Sequence, residues 1–164
     1  MRKIISFILF LTVLAACTSI DCPVENTVYT VYHLKKADGT ADTLRYDTLW
    51  VWSTRADGTD TLLINRLCGP SATKFNLPIS YTQPEDVICT ALRDTMDNIW
   101  LDTIRVQKQN CPHFESVDCQ AAFFHVITAV SSTHHIIDTV VINNPQVTYD
   151  ASTEHFHIYI KADR

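Results

Sequence analysis

Glycine is nearly absent from this chain of 164 residues, which has only Gly39, Gly58 and Gly69. That scarcity excludes a P-loop, a Gly-x-Gly-x-x-Gly fingerprint and a Gly-x-Ser-x-Gly elbow, all of which need closely spaced glycines. No two of the six cysteines form a Cys-x-x-Cys, so zinc-ribbon and thioredoxin-like readings lose their usual support. Basic charge is also short, with 13 Lys and Arg against 18 Asp and Glu. An acidic balance argues against nucleic acid and against adhesion to anionic headgroups. No segment carries helical periodicity over a useful length, and no second apolar run approaches membrane-spanning length. Serine, histidine and aspartate occur, but without the local context that would make a catalytic triad. Nothing here spells a catalytic constellation, and the expectation is a protein that is not an enzyme.

What is present begins at the N-terminus. Arg2 and Lys3 precede "IISFILFLTVLAA" (4–16), an apolar run without a charge. This is the n-region and h-region of a secretory signal, too short for a comfortable permanent span. It ends in Leu14-Ala15-Ala16-Cys17, which resembles a bacterial lipobox. Small residues fit the peptidase cleft, and the Cys17 thiol is the atom that carries diacylglycerol. An ordinary Ala-x-Ala signal is the alternative, with Cys17 incidental. The expected organisation is a signal peptide over 1–16, a lipidated tether over 17–26 and one domain over 27–164. Several acyl chains hold durably, at about 0.8 kcal/mol per buried methylene. Loss of Arg2 and Lys3 leaves 11 basic against 18 acidic residues, a formal charge of −7.

Export places Cys22, Cys68, Cys89, Cys111 and Cys119 where disulfides persist. Their odd number allows two bridges and one free thiol. Cys111 could close a short loop with Cys119; equally, Cys22 could pin the tether to the body near Cys119. Spacing does not choose between them.

The rest of the chain reads as strands. "TVYTVYHL" (27–34) is β-branched and aromatic, and "TLRYDTLWVW" (43–52) places Tyr46, Trp50 and Trp52 on one face, taken here as a core face. "ADGT" occurs at 37–40 and again at 56–59. Asp-Gly is a turn pair whose glycine takes positive φ without penalty. Residues 27–65 therefore read as a three-strand meander turning at Asp38-Gly39 and Asp57-Gly58. Further strands are expected at 74–80, where Pro78 marks an edge, and at 86–92, 98–107, 121–130, 135–142 and 155–161. Eight or nine short strands predict an all-β antiparallel sandwich of the immunoglobulin-like type; a closed barrel is the alternative.

Asp-Thr followed by an apolar residue recurs at Asp42, Asp47, Asp60, Asp94, Asp102 and Asp138. The simplest reading is strand entry, with aspartates at the rim of the sheets. Alternation places Asp60 on the face of Leu62 and Ile64, where a carboxylate must be wet or hydrogen-bonded to loop N–H groups. Calcium at Asp57 and Asp60 is the sharper alternative, but a third acid and a following glutamate are missing. Among the histidines, His155 and His157 stand at i and i+2 on the last strand, a spacing that can bind a transition metal. His125 or His134 on a neighbouring strand would supply a third ligand. A solvent-facing polar stripe opposite Phe156, Ile158 and Ile160 is the competing account.

"CTSIDCPVENTV", with Cys22-Pro23 and Asn26, is followed by "DTLWV", "NLPIS" and "ESVDCQAAFFHVITAVSSTHHIIDTVVINNP". These stretches resemble a family of small uncharacterised Bacteroidetes lipoproteins grouped as a domain of unknown function. The resemblance implies an all-β fold and attachment at the outer membrane, periplasmic or surface-facing, with no cofactor and no catalytic residue to carry over. The expected function is a non-enzymatic binding or structural module of the envelope, whose partner is another envelope protein or a glycan. A metal-dependent hydrolase using the C-terminal histidines is the alternative.

Overall fold

The computed structural model describes residues 27–161, apart from Tyr46, Ala56, Glu115 and Val117. The signal segment, the tether, Cys17 and Cys22 lie outside the described residues. Ten strands and no helix are found among the described residues: β1 (Tyr29–Lys35), β2 (Thr48–Thr54), β3 (Asp60–Cys68), β4 (Lys74–Pro78), β5 (Glu85–Arg93), β6 (Ile99–His113), β7 (Ala122–Ser132), β8 (Ile137–Ile142), β9 (Gln146–Val147) and β10 (Phe156–Ile160). They form two open sheets, β4-β1-β10-β8 and β3-β2-β5-β6-β7-β9. The all-β sandwich is therefore present, and the barrel alternative is not. The tenth strand is the two-residue β9, which is too short to leave a pattern in the sequence.

Two expectations need correction. β1 does not join β2 and β3 in a meander. It lies in the other sheet, antiparallel to β4 and parallel to β10. The first Asp-Gly turn closes only a short bridge, Lys35 to Ala41, before the chain crosses over. A turn signal fixes a reversal, but it does not choose which strand is paired next. The sandwich is consequently not wholly antiparallel.

The second correction concerns β2. Leu49 and Val51 are buried, whereas Trp50 and Trp52 are half-buried on the outer face. Both phases of this strand are apolar, so alternation alone does not say which one faces inward. The same outer face carries Leu62, which is 56% exposed. Asp60 and Leu62 therefore do not point into the core.

The core forms where the inner faces meet. In β1, Tyr32 stacks on Phe75 of β4 and Phe156 of β10, with ring centroids 5.2 and 4.7 Å apart. All three are register partners across neighbouring strands, so one row of aromatic pairs staples the sheet. Leu49, Val51, Ile88, Ile104 and Val106 face them from the larger sheet. β4 ends at Pro78 on the sheet's edge, where no ladder donor is needed.

Candidate functional site

The two Ala-Asp-Gly-Thr repeats make the same turn twice. Asp38 Oδ1 accepts from the Thr40 N–H at 2.9 Å and its hydroxyl at 2.6 Å. Asp57 Oδ1 accepts from Thr59 at the same two distances. Gly39 and Gly58 take φ of 82° and 80°. Hydrogen bonds from Thr40 and Thr59 hold both carboxyls below the usual range. Asp60 instead accepts from the Thr54 hydroxyl at 2.8 Å. Asp57 and Asp60 thus serve separate local contacts. The other Asp-Thr aspartates diverge too: Asp42, Asp47 and Asp102 are buried, while Asp94 and Asp138 are exposed or half-buried.

The fold separates His125, His134, His155 and His157 from one another as ligands of one site. His155 is fully buried, its Nδ1 accepting from the Val31 N–H at 3.0 Å and its Nε2 donating to the Gln146 carbonyl at 3.1 Å. Burial holds its pKa below the ordinary value. His134 Nδ1 donates to the Asp138 carbonyl at 2.8 Å. His125 is buried and bonded to Asn110 at 2.8 Å. His157 sits instead beside His33, its register partner across β1 and β10. Glu154 lies between them, 2.6 Å from His33 Nδ1 and 3.1 Å from His157 Nε2. Lys35 Nζ stands 3.4 Å from the same carboxylate. Burial pushes the Glu154 pKa up, but hydrogen bonds from His33 and His157 and the nearby cations outweigh it and hold it at about 2. Among the described residues, no group of three or more His, Cys, Asp or Glu is placed to hold a metal ion.

Cys68, Cys89 and Cys111 are free thiols, and Cys119 is not among them. The short Cys111–Cys119 loop is therefore not made.

The most built feature is a cleft of about 490 Å³ at one edge of the sandwich. Thr61 and Leu63 of β3 line one side, and Pro78 and Ile79 at the end of β4 line the other. These are the end strands of the two sheets, so both free edges border one opening. Arg55, Asp57 and Asp86 also line it. Behind Asp86 lies a polar layer inside the core. Lys108, with no exposed side-chain surface, places Nζ 2.8 Å from Asp86 Oδ1. Asp86 Oδ2 also accepts from the Ser80 N–H at 3.1 Å. His125 sits close enough to Lys108 for its charge to matter: burial first, then that ammonium, push the imidazole down to about 4. A buried cation needs such a partner, because an unpaired one costs several kcal/mol, on the order of 3–5. This layer was missed in the sequence although a signal existed. Lys108 falls in phase with the buried Ile104 and Val106 of β6, and Asp86 in phase with Ile88 of β5.

The chain's profile matches a family described as "Family of unknown function (DUF6452)" over residues 48–160. It also matches a prokaryotic membrane lipoprotein lipid attachment site over residues 1–18. No curated protein and no solved structure matches the chain.

Proposed function

The chain belongs to the DUF6452 family and carries a lipoprotein attachment site, and from that premise we propose a non-enzymatic binding module tethered to the outer membrane of a Bacteroidetes cell. Its partner is an envelope protein that lays an extended segment along β3 at the cleft. The observation that carries this reading is the meeting of two free sheet edges around one opening. A free strand edge offers unpaired N–H and C=O groups, and strand addition uses them for affinity while flanking pockets select side chains. β3 has nine residues and an apolar middle, Leu62-Leu63-Ile64. β4 is shorter and closes with a proline. Positive φ at Arg66 breaks the regular run of β3 toward its end, which confines addition to the 60–64 stretch.

A photo-crosslinking residue at Thr61 tests this in cells. A protein adduct is expected there and not at Thr128, an exposed position on β7. Equal labelling at both positions, or only glycan recovered with Thr61, would sink the reading. We also propose that Cys119 pairs with Cys22, which lies outside the described residues; the reading is supported by the free thiols of Cys68, Cys89 and Cys111. Non-reducing peptide mapping should recover the two joined, and a free Cys22 would reject the assignment.

A further inference from the structure

Away from the cleft, the outer side of the smaller sheet opens into a second cavity of about 760 Å³. Four cations line it: Lys35, Lys36, Arg45 and Lys161. The mature chain has only 11 basic residues against 18 acids, so more than a third of its positive charge gathers here. Lys35 and Tyr159 are register partners on β1 and β10, which sets a hydroxyl beside the ammonium on the cavity wall. Lys161 is held by the His134 and His135 carbonyls, at 2.6 and 3.1 Å from Nζ. Those contacts orient the ammonium without neutralising it.

Arg45 is the telling residue. Its φ is 54°, a left-handed conformation that costs a side-chain-bearing residue on the order of 1–2 kcal/mol. The turn holding it is closed by the Asp47 N–H on the Leu44 carbonyl at 2.8 Å. Glycine would relieve that strain, yet a guanidinium stands at the cavity wall. Neither Arg45 nor Lys36 forms an ion pair with a described residue, whereas Arg93 and Arg105 are paired with Asp97 and Glu85. Two acids also line the cavity, Asp42 and Asp138. Asp42 turns one oxygen to the Thr43 N–H at 2.9 Å, and with Lys35 also facing Glu154 the four cations outnumber the two lining carboxylates chiefly through Arg45 and Lys36.

We propose that this cavity binds a phosphate-bearing anion, with Arg45 and Lys36 as its principal contacts. Concentrated cations on an otherwise acidic surface focus anions by field, and a guanidinium fork suits phosphate oxygens in a two-point contact. The volume fits a small ligand or headgroup. The phosphate could belong to a soluble phosphorylated molecule or to a lipid of the membrane to which the chain is tethered.

Hydrogen exchange on the full-length lipidated protein in proteoliposomes tests the proposal in three arms. They are phosphatidylcholine alone, the same vesicles with inorganic phosphate, and vesicles containing phosphatidylglycerol, all at matched ionic strength. Exchange across residues 36–45 and at Lys161 is expected to slow several-fold in the second arm, the third, or both. Protection by phosphate indicates a soluble ligand, and protection by phosphatidylglycerol alone indicates a headgroup. The double variant K36E/R45E replaces two exposed side chains. It should keep the parent's melting temperature and lose the protection. No protection in either arm, or the same protection in the double variant, overturns the proposal. Neither outcome bears on the cleft at β3.

Discussion

Asp102 holds the two sheets together through one side chain. It sits on β6 of the larger sheet with 3% of its surface exposed. Oδ1 accepts from the Thr133 hydroxyl at 2.7 Å and the His135 N–H at 2.9 Å. Oδ2 accepts from the Ile136 and Ile137 N–H groups at 2.8 and 2.9 Å. Those donors lie on the passage from β7 to β8, where the chain changes sheets. Burial raises the pKa of this carboxyl, but the backbone donors outweigh it and hold it below the usual range. Asp102→Asn turns an amide N–H₂ toward donors it cannot satisfy. A loss of about 2–4 kcal/mol is expected from the urea midpoint, since hydrogen bonds to charge and orphaned donors both count. A variant as stable as the parent would remove Asp102 from this role. His125 supplies a second residue-scale test. Its folded pKa near 4 lies below the ordinary 6.5, so between those values the unfolded chain binds a proton that the fold refuses. Stability should fall as pH drops through that window, by up to about 3 kcal/mol. His155 shifts in the same direction, while Glu154 acts lower, between 4.5 and about 2. His125→Gln should flatten a large part of the slope above pH 4, and an unchanged slope would place the titration elsewhere.

At the scale of elements, the repeated turn was the most legible feature, because Asp, Gly and Thr each have a local job. Gly58 needs its positive φ, yet an added Cβ would meet nothing within 4 Å. The cost of Gly58→Ala should therefore be conformational alone, about 1 kcal/mol. Gly58→Asn should recover most of it, because asparagine tolerates the left-handed region. Equal losses for both variants in thermal melts would point to packing instead. Strand positions were legible for the same local reason: period two and turn residues need no partner. Partners were not. His33 stands beside His157 only because β1 pairs with β10 across the whole domain, and no local pattern encodes that pairing. The same limit hid the cleft, which exists because β3 and β4 each end a sheet. Asp102 shows the intermediate case. Asp102 is in phase with the buried Ile104 and Val106 of β6, so its carboxylate needs hydrogen-bond donors, but the loop that provides them lies 31 to 35 positions away.

For the whole molecule, attachment and body separate cleanly. The mature chain is acidic, at −7, so the body as a whole has no general attraction to anionic lipid. Scattered exposed apolar residues on the larger sheet, among them Leu62 at 56%, Ile99 at 63% and Leu101 at 57%, do not replace several acyl chains. The four-cation cavity adds at most a local contact, which salt weakens. The attachment site matched over residues 1–18 therefore leads to the expectation that lipid at Cys17 supplies most of the membrane affinity. Cys17→Ala should abolish incorporation of labelled palmitate and move the protein to the soluble envelope fraction after a high-salt wash. If it stays with the membrane without label, the h-region or the body is anchoring it. The lipidated cysteine would then be dispensable for attachment, contrary to the match over residues 1–18. K36E/R45E combined with Cys17→Ala separates the remaining sources, because the cavity's contribution disappears in that variant while an uncleaved h-region's does not.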